Sequence, residues 1–192
     1  MTDIQVANIA LDWLKEGAIS SFDDDRPSGR WMNRNFKIVR DMTIALTPWR
    51  FAVHRNQLPE AVPKPEFEYQ YAYIKPSDCL RVMPLRQGGY KDGALIRYSV
   101  EGDRILTNAP PPLKVRCIMR IEDATKWSPL FIDVFSLQLA LRLGNWLTGK
   151  ETFVARIASA YKESLTTAMF IDTAEGYAED QVASYYDDVR YS

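Results

Sequence analysis

Three side-chain groupings in the sequence have types and spacings that suit chemistry. Asp23-Asp24-Asp25 places three carboxylates in a turn-rich stretch from Ser20 to Ser28. Such a cluster suits a metal ion, a general acid–base group, or the acidic lead-in to a helix. A calcium loop needs Gly at its sixth position and Glu at its twelfth, and counted from Asp23 those positions hold Ser28 and Arg34. Carboxylates ahead of a helix meet its positive end favourably, and Pro27 suits a first turn, so the third reading is favoured. His54 is the only histidine, which excludes a two-histidine metal site or a Ser-His-Asp triad within one chain. Cys79 and Cys117 are the only cysteines; they form no disulfide framework, and apolar neighbours mark both as buried reduced thiols. Phosphate-binding glycine loops, the G-x-S-x-G elbow, zinc spacings and dinucleotide fingerprints are absent, and nothing selects a carboxylate pair. The expectation is a protein that is not an enzyme, with no catalytic residue, no metal and no cofactor.

Charge is distributed unevenly instead. Arg30, Arg34 and Lys37 fall at i, i+4 and i+7, one helical stripe, with Arg26 and Arg40 near it. From Arg26 to Arg55 seven Lys or Arg stand against Asp41 alone. A solvated face, a protein interface and DNA contact all fit this stripe. Between Leu113 and Ile121, Lys114, Arg116 and Arg120 alternate with apolar residues and give one face of a strand a basic character. From Asp172 to Ser192 the balance reverses, with six acids against Arg190, and Tyr177, Tyr185, Tyr186 and Tyr191 are interspersed. A disordered terminus and an arm that orders on a partner both fit.

The chain that must position these groups has 192 residues, 46% hydrophobic, with a net charge of −1. That suffices for one domain carrying an insertion and excludes a strongly basic chain overall. No secretory signal is evident, no window has the roughly 18 uninterrupted apolar residues of a membrane span, and synthesis in the cytoplasm is expected. A Thr2–Gln5 capping box opens a helix with Val6, Ile9, Ala10, Trp13 and Leu14 inward, stopped by Gly17. A second helix, from about Pro27 to Thr47, directs Trp31, Ile38, Val39, Met42, Ala45 and Leu46 inward and ends at Pro48. After a Pro-rich extended crossing the period changes to two, and strands are expected over Phe67–Tyr73, Cys79–Leu85, Leu95–Val100, Arg104–Thr107 and Leu113–Ile121. Ser128-Pro129 opens an apolar central helix, and a second capping box at Thr148–Glu151 opens a last long one carrying Val154, Ile157, Ala158, Tyr161, Leu165, Ala168 and Met169. The expected fold class is α+β. A bundle of about four helices (1–66 and 122–172) carries an inserted antiparallel sheet of four or five strands (67–121), and an extended C-terminal tail follows (173–192).

Pro48-Trp49-x-Phe51-Ala52, followed by Tyr71-Ala72-Tyr73-x-x-Pro76-x-Asp78-Cys79-Leu80-Arg81-Val82, resembles the tail tubular protein A family, the head-to-tail adaptors of tailed phages. Ile9-Ala10-Leu11, the Ser20–Asp25 turn, the Leu137–Leu147 helix and the Tyr161, Leu165, Ala168 spacing fit as well. The resemblance implies a structural virion protein of the viral tail, a head–tail connector at the head-to-tail junction, made in the host bacterial cytoplasm. It would form a dodecamer, twelve copies in a ring between the portal protein and the tail tube or nozzle, and extend the channel for double-stranded DNA without reading its sequence. No membrane partner is implied. The tail residues Tyr185, Tyr186, Arg190 and Tyr191 become candidates for portal binding, and Arg30, Arg34 and Lys37 for a neighbouring subunit or the portal. Trp49, Phe51, Tyr71 and Tyr73 are expected to form a structural corner fixing the angle of the β domain on the bundle. The rival readings are a tail-associated envelope hydrolase and a nucleic-acid-binding module.

Overall fold

The computed structural model describes residues 1–147 and 151–174, in an α+β arrangement of four helices and two small antiparallel sheets. The chain divides into two compact units. One comprises Met1–Thr43 and the described residues from Asp123 onward, the other Ile44–Glu122.

In the helical unit, α1 (Asp3–Leu14) starts with the expected capping box: Thr2 Oγ1 accepts from Gln5 N at 3.3 Å, and Gln5 Oε1 accepts from Thr2 N at 2.8 Å. It stops earlier than Gly17. Lys15 takes the left-handed conformation (φ 57°), with Lys15 N donating to Asp12 O and Glu16 N to Leu11 O, so closing bonds end the helix without a glycine. Val6, Ala7, Ala10, Leu11 and Leu14 are buried, and Trp13 lies on the exposed side. The capping Ser128 starts α3 (Pro129–Leu147), its Oγ accepting from Phe131 N at 3.2 Å. This helix is by length and composition apolar enough to cross a membrane. Nine of its residues are nevertheless buried, and it packs with both α1 and α4 (Glu151–Ala174), as expected of a central helix. Phe22, Phe36, Phe135, Phe131 and Trp127 form a chain of ring contacts through the unit, with centroids 5.0 to 5.6 Å apart. On α4 Ile157 and Ala168 are buried, whereas Met169 is exposed and so stands outside the core.

The second helix, α2 (Pro27–Leu46), is rotated from the expected orientation. Met32, Phe36, Val39, Arg40, Thr43 and Ile44 are buried with Trp31, while Ile38, Met42 and Leu46 are exposed. The helix carries apolar residues at two phases. The row with Phe36 wins because it joins the aromatic chain, which removes far more apolar area from water.

The β unit begins earlier than residue 67. β1 (Val53–Leu58) pairs antiparallel with β6 (Leu113–Met119), which also pairs with β3 (Cys79–Val82). The remaining strands form a second sheet in which β5 (Arg104–Thr107) lies between β2 (Tyr71–Ile74) and β4 (Tyr98–Glu101). Six short strands in two sheets thus replace one sheet of four or five. Their shared core is Tyr73, Cys79, Val82, Leu85, Ile105, Leu113, Val115 and Cys117. Phe67, expected on a strand, is exposed outside it, because the chain at Phe67–Tyr69 turns through Glu68 at φ 68°.

Candidate interaction surfaces

The Asp23–Asp25 cluster has a defined structural use. Arg26 grips Asp24 through Nε and Nη2 at 2.9 and 2.8 Å, and its backbone N–H donates to the same carboxylate at 3.0 Å. The far side of the guanidinium donates to the carbonyls of Gly17 and Ala18, so the arginine ties both ends of the turn between α1 and α2. Hydrogen bonds from Arg26, side chain first and then backbone, hold the Asp24 carboxyl down at about 2. Gly29 lies beneath this clasp, where an added Cβ would stand 2.5 Å from Asp24 O. Among the described residues no group of three His, Cys, Asp or Glu is arranged to hold a metal ion.

Of the basic residues around α2, the structure separates two kinds. Arg26 is committed to the clasp, and Arg40 is buried, with its Nε and Nη2 both 2.8 Å from Asp41 Oδ1. Arg40 therefore leaves the stripe. Arg30, Arg34 and Lys37 remain exposed, and none has an ion-pair partner among the described residues. The same i+4 row continues into Ile38, 58% exposed, and Met42, 46% exposed. This surface is cationic at one end and apolar at the other. Its apolar end was readable in principle: Arg34, Ile38 and Met42 are successive i+4 neighbours, so a solvent-facing Arg34 brings the other two with it.

In the β unit, Arg55 of β1 lies directly opposite Arg116 of β6, and Gln57 opposite Lys114. The loop Gly88-Gly89-Tyr90 borders this face; both glycines have positive φ (66° and 77°), and Lys114 Nζ stands 5.9 Å from the Tyr90 ring centroid. A Cβ on Gly89 would come within 2.8 Å of Lys114 Cβ, so the loop approaches the strand as closely as glycine permits. These residues line a groove of about 380 Å³, and an adjoining depression of about 490 Å³ adds Arg86 and Asn108. Arg120, the third basic residue noted on this strand, instead meets Asp78 at 3.4 Å.

The remaining singled-out residues divide by place. Trp49 is buried ahead of a short 3-10 turn (Arg50–Ala52) and stacks on Phe51 with centroids 6.4 Å apart. Tyr73 belongs to the β-unit core and Tyr71, half-buried, packs against it; the Tyr73 hydroxyl donates to Ala109 O at 2.7 Å, and burial pushes its pKa up to about 12. Cys79 and Cys117 are buried free thiols, and a hydrogen bond between them, followed by burial, pushes the Cys117 thiol up. His54 is exposed on β1. Tyr185, Tyr186, Arg190, Tyr191 and the Thr148–Lys150 cap lie outside the described residues. No protein-family model matches the chain, and no curated protein matches it.

Proposed function

We propose that this protein is a structural head-to-tail adaptor of a tailed phage, forming a ring between the portal and the tail tube or nozzle. In this reading it extends the DNA channel, carries no catalytic activity and needs no cofactor. The residue pattern from Pro48 to Val82 motivates the family, and the observation that carries the mechanism is the mixed row on α2. A solvated helix face is mostly polar. Here three cations without partners among the described residues continue into exposed Ile38 and Met42, a composition suited to a protein partner that offers carboxylates beside an apolar recess. A ring of identical subunits requires such a heterologous contact, one patch on each copy meeting a different patch on the next.

Reversing Arg30, Arg34 and Lys37 to Glu tests this. Mixed with the portal of the phage that encodes it, the unmodified protein is expected to decorate portals as closed rings in electron micrographs. The reversed protein, with an unchanged far-ultraviolet circular dichroism spectrum, is expected to leave portals bare. Rings of normal occupancy from the reversed protein would overturn the assignment of this face.

A further inference from the structure

We propose that the open face of β1 and β6 is a binding site for the phosphodiester backbone of nucleic acid, contacted by Arg55, Lys114 and Arg116. The arrangement of charges on this face is unfavourable by itself. Directly opposed residues in an antiparallel pair hold their Cβ atoms about 4.5–5.5 Å apart, and like charges there repel. Arg55 faces Arg116 in this way, and Lys114, two residues along β6 from Arg116, is the diagonal neighbour. Neither arginine has an ion-pair partner among the described residues, and no acidic residue lines the groove or the depression beside it. An anion bridging the two guanidiniums turns the repulsion into attraction, and planar guanidiniums match phosphate oxygens bidentately.

The rest of the lining selects the kind of anion. Besides the cations the groove shows Asn56, Gln57, Gly88, Gly89, Tyr90 and Val115, whereas the adjoining depression is the apolar part, with Leu95, Ile96, Pro110, Pro112 and Leu113. Arg55 and Arg116 line the polar groove and not that depression, which suits a sugar–phosphate chain better than an acidic protein segment with aromatic anchors. Tyr90 is 71% exposed beside Lys114 and supplies a hydroxyl and a ring face at the edge of the groove. The adjoining Arg86 extends the cationic lining past the Gly88-Gly89 loop, although one of its Nη atoms is held by Gly93 O at 3.0 Å. Contacts to phosphate oxygens carry no sequence information, so binding is expected to be indifferent to sequence. The site stands on the β-unit geometry and is independent of the adaptor reading.

Fluorescence anisotropy of the full chain with a labelled random-sequence duplex of about 20 base pairs tests the site. Three phosphate contacts give a slope of log K against log salt of about −2.7, a roughly 40-fold weakening between 50 and 200 mM salt. The variant Arg55→Gln/Lys114→Gln/Arg116→Gln is expected to lose most of that slope while its melting temperature is unchanged or higher. Substituting Arg30, Arg34 and Lys37 by Gln is expected to leave the slope as it was. Retention of affinity and slope by the β-face variant overturns the proposal. So does tighter binding, at 100 mM salt, of a synthetic peptide of residues 175–192 than of the duplex, with the same dependence on the three cations, since that outcome assigns the face to an acidic protein segment. Portal decoration is measured separately, so a protein that binds DNA without forming rings refutes only the adaptor reading.

Discussion

At the scale of single residues, the Asp24–Arg26 clasp shows how a group suited to catalysis or metal binding is used to close a turn. Its carboxyl is depressed in the folded protein from an ordinary 3.8 to about 2. A depressed carboxylate contributes stability that is fully present above the unfolded value and disappears as pH falls through the folded one. Unfolding midpoints in urea are therefore expected to drop between about pH 4 and pH 2, and the Asp24→Asn protein is expected to lose that part of the pH dependence. An equal acid slope in the variant would show that other carboxylates carry it. Gly29 supports the same turn from below. Gly29→Ala brings a methyl group against the Asp24 backbone carbonyl and is expected to cost about 1–3 kcal/mol in equilibrium unfolding.

At the scale of elements, α2 is where the physics is most instructive. Its apolar residues fall on two rows, and only packing chooses between them. Phe36 touches both Phe22 and Phe135, which places the Phe36 row inside and leaves Ile38 and Met42 outside. Phe135→Ala is expected to cost about 3–5 kcal/mol, because it empties the middle of the aromatic chain. Ile38→Glu is expected to change stability by less than about 0.5 kcal/mol, as for an exposed position, yet to impair ring formation on portals. A large loss of stability in Ile38→Glu would return that row to the core. The strands tell a parallel story. The Arg104–Thr107 strand and the Glu101-Gly102-Asp103 turn could be read locally, since Gly102 supplies the positive φ (59°) at the hairpin. The pairing of Val53–Leu58 with a strand some sixty residues later could not, and with it went the expected start of the β unit.

At the scale of the whole chain, a net charge of −1 conceals a strong polarity. The region from Arg26 to Arg55 carries a surplus of six positive charges, and the last twenty-one residues carry a deficit of five. In the adaptor reading the acidic, tyrosine-bearing terminus is the portal arm, built on Tyr185, Tyr186, Arg190 and Tyr191. Deleting Ser184–Ser192 is expected to leave the melting temperature unchanged while abolishing stable attachment to portals in sedimentation. Full attachment of the shortened protein would remove the arm from the mechanism.

The sequence by itself determined whatever is encoded between near neighbours. Thr2 with Gln5 and Ser128 with Pro129 mark helix starts through backbone donors that need a side-chain acceptor. The alternation of Leu113, Val115 and Cys117 marks the buried side of β6, and the balance of long helices and short strands marks the α+β class. The mixed row on α2 was half legible, because its cations announced an exposed face while its apolar members imitated a core. Tertiary structure alone decided that Arg40 is buried beside Asp41, that Ile38 and Met42 face outward, that the strands divide into two sheets, and that Arg55 meets Arg116. Each of these depends on contacts between segments distant in the chain. Their free energies compare whole packings rather than local preferences, and when one helix or strand offers two acceptable faces, the partner that arrives from elsewhere makes the choice.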